Sequence, residues 1–252
     1  MAERVLVFQP IFTHGAGLDF RVLGVQFWIA DRLGALGLEG ASALMRDPEA
    51  DEPRITATSA PDDDDIAKAL ASNGARYGLV TTFAVQDDRP RLAIGKLAEL
   101  RAGQLHVLGS WTFDRAEPLP AATLRLLMQS AAKLGHALEP VAWELVFDTT
   151  DATIAGNYLT ALGALSVIEQ GFAFDEDSAE TSLRALLSGV QVKMRPAIDL
   201  LPRLVDALHD HERAPIEMLR AAVEAAHDLL PLPPDSWTPM LRSVGRGGTL
   251  VN

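Results

Sequence analysis

Between Tyr77 and Phe113 the chain offers three strand-length runs, Tyr77 to Val85, Arg91 to Leu100 and Gln104 to Phe113, with links too short to hold a helix. Gln86-Asp87-Asp88-Arg89-Pro90 and Arg101-Ala102-Gly103 are turn sequences, so the three runs predict an antiparallel meander. A meander cannot belong to a purely parallel, doubly wound sheet, in which every strand is followed by a helix. The fold class is therefore decided by whatever precedes these strands.

What precedes them alternates. Arg4-Val5-Leu6-Val7-Phe8-Gln9 reads as a buried strand and Ile11 to Gly17 as a loop. Asp19 to Ala35 follows as a helix, with Phe20, Leu23, Phe27, Ala30 and Leu33 on one face. Asp19 suits the start of that helix and Gly37 its stop. A second short strand near Gly40 to Met45 completes a crossover unit, which calls for parallel pairing of the two strands. A helix from Asp63 to Asn73 leads into the meander. A further helix, Ala121 to Leu134, ends at Gly135. The first half, residues 1–137, is thus expected to be an α/β domain with a five-stranded mixed sheet, and the opening strand is expected at its edge.

Those residues carry a resemblance. Val5-Leu6-Val7-Phe8-Gln9-Pro10, Gly17-Leu18-Asp19-Phe20 with Leu23, Ala30 and Leu33, Ala75-Arg76-Tyr77-Gly78-Leu79-Val80, and Arg91 to Leu97 with Gly103-Gln104 and Trp111 together resemble the amino-terminal domain of TolB-type proteins. That module recurs in the cytoplasm beside helical repeats in bacterial signalling proteins. The resemblance implies a binding module without chemistry of its own. Two stretches depart from it: His14-Gly15-Ala16-Gly17 is not the usual polar loop, and the acidic insertion from Asp47 to Asp65 is long.

Beyond Pro118, Pro120, Gly135 and Pro140 strand-like alternation gives way to helical spacing, so residues 138–252 are expected to form an all-α domain with a loose tail. Thr150 or Asp151 can cap a helix with Ile154, Tyr158, Leu162, Leu165 and Ile168 on one face. Ser178 can cap the next, carrying Leu183, Leu187, Val190 and Met194. Pro196 starts a third, in which Pro202 should kink the helix or begin a new one. Pro215 suits the first turn of a fourth. The arrangement is a helical bundle or a degenerate stack of helix hairpins. Leu162-Gly163 suits a tetratricopeptide-type register, but that register puts Asp175 where a small residue should pack.

Charge and composition narrow the partners. The net charge is -12: residues 1–137 hold 14 basic and 17 acidic residues, and residues 138–252 hold 8 and 17. Neither half carries a basic stripe with interleaved aromatics, so nucleic acid is not expected as a partner. No apolar run approaches the roughly 20 residues of a membrane span, so no membrane insertion is expected. Zero cysteines exclude disulfides and thiolate metal sites, and a cytoplasmic location is expected.

Three constellations could carry chemistry. The loop His14, Gly15, Gly17 sits where α/β sheets bind ligands, but it lacks the third glycine of a dinucleotide fingerprint and the Lys-Ser/Thr of a phosphate loop. A tight strand-to-helix turn accounts for it. Asp62 to Asp65 could hold a divalent metal, but carboxylates also favour the positive end of a helix dipole. His209-Asp210-His211-Glu212 lacks the four-residue spacing that puts two histidines on one helix face. Trp28, Trp111 and Trp143 suit cores and domain contacts; Trp237, set among prolines, suits a contact with a partner.

The expected protein is a non-catalytic cytoplasmic interaction or scaffold protein, with no metal and no cofactor, binding a protein partner or a second copy. The helical groove would carry specificity, and the sheet edge could accept a strand from another chain. The alternative is a small-molecule-binding or enzymatic α/β domain with its ligand near His14 to Gly17.

Overall fold

The computed structural model describes residues 3–12, 19–44, 55, 61–86, 89–210, 218, 219, 221 and 222. Its opening strand β1, Arg4–Phe8, lies inside the sheet and not at its edge. Val5 and Val7 face one side and Leu6 the other, and all three are buried, which is why the run reads as continuously apolar. The expectation of an edge failed because the next strand, β3 (Glu39–Ala43), pairs parallel on one flank of β1 while β4 (Tyr77–Gln86) pairs parallel on the other. From β4 the chain runs through β5 (Arg89–Arg101) and β6 (Gln104–Thr112) as the expected antiparallel meander. The order is β3-β1-β4-β5-β6, a five-stranded mixed sheet. A two-residue strand, β2 (Ile11–Phe12), also pairs with β4 where a loop was expected.

Helices cover both faces. α1 (Phe20–Ala35) and α3 (Leu119–Lys133) pack on the face of Val5, Val7, Leu79 and Leu97. The short α2 (Asp63–Ser72) lays Ile66 and Leu70 on the face of Leu6 and Val80. Asp62 caps α2 by accepting from the Asp65 N–H at 2.8 Å, and Asp63 pairs with Lys96 at 2.7 Å. The acidic run thus serves the helix start and one ion pair with the sheet.

After a short helix, α4 (Trp143–Phe147), the chain becomes all-α: α5 (Ala152–Glu169), α6 (Glu176–Gln191) and α7 (Arg195–Asp210). Asp151 caps α5, accepting from the Thr153 N–H at 2.7 Å. The cap of α6 is Asp175, which accepts from the Ser178 N–H at 2.7 Å; Ser178 is therefore the donor, inside the first turn. This also explains why Asp175 fits no repeat register: it stands outside the helix and serves its amides. α7 runs unbroken through Pro202, which removes one N–H without ending the helix. Leu219 is helical and buried, within the fourth helix expected after Pro215, most of which lies outside the described residues.

The two halves share one hydrophobic core. α5 has no charged residue between Ala152 and Ile168 and is buried almost all round, so the single apolar face expected for it understates its contacts. It lies against α1 on one side and against α6 and α7 on the other. At the α1 crossing the backbones touch. A methyl group built on Gly163 would lie 1.9 Å from the Phe20 carbonyl oxygen, and one built on Gly24 would lie 1.8 Å from that of Leu159. Phe147, fully buried, stacks on Trp28 at 5.2 Å between ring centres and meets Tyr158 edge-on at 6.2 Å. Burial pushes the Tyr158 hydroxyl up to about 12.

Candidate functional site

His14, Gly15 and Gly17, the expected ligand loop, lie outside the described residues. Three buried polar residues described at the C-terminal end of the parallel strands, Gln9, Gln26 and Thr81, are neutral. Gln26 of α1 is fully buried and donates from Nε2 to the Val7 carbonyl at 2.9 Å, fastening the helix to the strand beneath it. Gln9 is buried just past β1. Thr81 of β4 is buried on the α1 face, and its hydroxyl has no hydrogen-bond partner among the described residues. The start of α1 is occupied by the Asp19 carboxylate, which accepts from the Arg21 N–H at 2.8 Å. A carboxylate there opposes a phosphate at the same helix end.

The ionisable groups that do come together lie at the other end of the sheet. Glu99 of β5 is only 2% exposed; it accepts from Arg76 Nε at 2.8 Å and Nη2 at 2.7 Å, and from Arg101 Nη2 at 2.7 Å. Arg76 also pairs with Glu3 and lies over the Tyr77 ring, 5.1 Å from its centre. Hydrogen bonds from Arg76, then the charge of Arg101, hold the Glu99 carboxyl below its ordinary value against the opposing effect of burial. Every acid in this cluster is answered by a guanidinium, so it ties β1, β4 and β5 together and offers no free acid or base. Sequence reading missed it because Arg76 and Glu99 are 23 residues apart. The register pairing of Tyr77 with Glu99 is what brings them together.

The other candidates separate. His209 is exposed on α7, while His211, Glu212 and Trp237 lie outside the described residues. Among the described residues no three His, Asp or Glu side chains could hold a metal ion together. Trp28 is buried, and Trp111 and Trp143 pack at the margin of the core.

Among the described residues, what remains open is the β6 edge. Gln104 to Thr112 contains no Asp, Glu, Lys, Arg or Pro, the residues that usually blunt an exposed strand. Its four apolar side chains are incompletely covered: Leu105, Leu108 and Trp111 are half-buried, and Val107 is 53% exposed. Among the described residues its backbone makes no hydrogen bond to any element besides β5. No helix of the described residues is long and apolar enough to cross a membrane.

No family model matches the chain, and no curated protein matches it. Among solved structures it is similar to two of the PelC dodecamer from Paraburkholderia phytofirmans, one of them a point variant. The variant shows 15% identity and a TM-score of 0.32, over 54% of this chain and 89% of that one. The other shows 15% identity and a TM-score of 0.31, over 55% and 90%.

Proposed function

We propose that this chain is a non-catalytic interaction protein of the cytoplasm that contacts another protein by adding a strand to its sheet at β6. The observation that carries the reading is the edge itself: nine residues of strand whose outward backbone groups have no partner among the described residues, no blunting charge or proline, and half-covered apolar side chains. Strand addition draws its affinity from main-chain hydrogen bonds and its selectivity from alternate side chains, and β6 supplies both. The resemblance to TolB amino-terminal domains and the lack of cysteine agree with a binding module in a reducing compartment.

The test is comparative capture from an extract of the native host, using the full chain and Val107→Pro, which removes an outward N–H. Proteins retained by the wild type and lost by the variant support strand addition. Identical recovery by both, or recovery of nothing, refutes it.

A further inference from the structure

The end of α2 is a turn built on a reactive pair of residues. Asn73 is its capping residue, with φ -93° and ψ 1°, and Gly74 follows at φ 61°. The Gly74 N–H donates to the Ala71 carbonyl at 3.2 Å and the Ala75 N–H to the Leu70 carbonyl at 2.9 Å. These are the two bonds of a Schellman motif, whose left-handed position favours glycine. The Asn73 side chain fastens the same turn, donating from Nδ2 to the Ala69 carbonyl at 2.8 Å. The stop signal of the helix is therefore an asparagine followed by a glycine, and both residues are exposed.

In such a pair the backbone nitrogen of the glycine and the amide carbon of the asparagine side chain are joined by the bonds of a five-membered ring, so their reaction is intramolecular. No side chain on Gly74 shields the attacking nitrogen, and a methyl group built there would meet nothing within 4 Å. Asn157 offers a contrast: it is half-buried inside α5, donates to the Ser188 hydroxyl at 3.0 Å, and is followed by bulky Tyr158. In the folded turn, a ψ of 1° holds the Gly74 nitrogen out of the plane of the ring. Attack waits for rotation about the Asn73 Cα–C bond, which breaks the Gly74 bond and opens only the exposed end of the helix.

We propose that Asn73 is a site of spontaneous deamidation, and that its isoaspartyl product loosens α2 from the sheet. The Gly74 nitrogen bonds to Asn73 Cγ and gives up its proton, while the Cγ–Nδ2 bond breaks and ammonia leaves. Water then opens the cyclic imide at one carbonyl to give aspartate, or at the other to give isoaspartate. No oxidant or reductant is needed. Either product exchanges the Nδ2 donor for a carboxylate at the negative end of α2, where no basic residue of the last turn answers it. Isoaspartate also lengthens the main chain by one methylene between two fixed points. On one side Ile66 and Leu70 are seated on the sheet; on the other the Arg76 N–H donates to the Arg4 carbonyl at 3.1 Å. The Asn73 carbonyl, which accepts from Arg4 Nη1 at 2.7 Å, leaves the main chain in that product.

The site is isolated by trypsin in one peptide, Ala69–Arg76. The full native chain is aged in mildly alkaline buffer beside the free peptide, and both are followed by mass spectrometry, with isoaspartate read by enzymatic carboxyl methylation. Asn73 should gain the mass of an amide-to-acid exchange about tenfold more slowly in the chain than in the peptide, with isoaspartate the main product and Asn157 unchanged. In the isoaspartyl fraction, α2 amides should exchange hydrogen at least about tenfold faster than in unaged chain. Asn73→Gln, which keeps the amide but enlarges the ring, should remove the mass gain from this peptide. A native chain still unmodified at Asn73 after about a hundred peptide half-lives overturns the proposal. So does aspartate as the sole product, a gain that persists in Asn73→Gln, or unchanged exchange of α2 in the isoaspartyl fraction.

Discussion

Replacing Gly163 with Ala and replacing Gly34 with Ala make the same chemical change in two helices and should move stability in opposite directions. In Gly163→Ala the new methyl carbon lies 1.9 Å from the Phe20 carbonyl oxygen and 2.8 Å from the Gly24 nitrogen, where real contacts essentially never fall below 3.0 Å. Both obstacles are backbone, so no side chain can swing aside. The helices must part by about 1 Å, a gap that forfeits a quarter to a half of the dispersion energy of each facing atom pair. We expect a loss at the upper end of the overpacking range, about 3 kcal/mol. For a chain of this size that lowers Tm by about 6 to 12 °C. Gly34, exposed near the end of α1, has nothing within 4 Å of its added methyl. Gly34→Ala should gain about 0.5 to 1 kcal/mol from the lower backbone entropy of its unfolded chain. Urea unfolding followed by circular dichroism measures both. The reasoning is refuted if Gly163→Ala is as stable as the wild type, or gains as Gly34→Ala does. Gly24→Ala should match Gly163→Ala, and the double variant should lose less than the two single losses together, because the first methyl already opens the gap.

Acid should weaken the sheet through Glu99. Its folded value lies below the ordinary carboxylate value of 4.5, so its contribution is complete above about 4.5 and is lost as pH falls through the lower folded value. Glu99→Gln should therefore be less stable than the wild type at pH 7, and the difference should shrink in unfolding curves taken at progressively lower pH. Phe147→Ala should cost about 3 to 5 kcal/mol, because it empties a fully buried site between Trp28 and Tyr158; urea unfolding gives the loss, and an altered tryptophan emission accompanies it. Asp175→Ala should cost about 1 kcal/mol by removing the cap of α6, and Asp175→Asn should restore most of it at neutral pH.

The strand and helix alternation was legible because apolar spacing carries it locally. The β4-β5-β6 meander followed from the shortness of two turns, and α1 and α3 followed from apolar faces that meet the sheet. The position of β1 was not legible: nothing in Arg4 to Phe8 says whether a second parallel neighbour will arrive some seventy residues later. α5 was misjudged as one-faced because its apolar residues satisfy a helical period, whereas the decisive signal was the absence of any charge from Ala152 to Ile168. The cap of α6 is misplaced from sequence at Ser178, whereas Asp175, a short carboxylate just ahead of Glu176, has the chemistry of a cap and occupies that position. The edge at β6 could be named from sequence only as a general property of sheets. Its pairing with β5 includes one register shift at Leu97 and Ala98, which no local signal announces.

The glycine contacts of α1 bear on how this chain can diverge. Gly40 of β3 stands to the sheet side of α1 as Gly163 does to the helical side: a methyl group there would lie 2.0 Å from the Ala30 carbonyl oxygen. α1 is thus pressed between two bare backbones, and the distances from sheet to α1 and from α1 to α5 are each set by the thickness of a helix with no side chain in the way. Descendants of this sequence have little freedom at positions 24, 40 and 163. A larger residue at any one of them demands a compensating displacement of a whole layer, whereas the outer helices α6 and α7 can drift residue by residue.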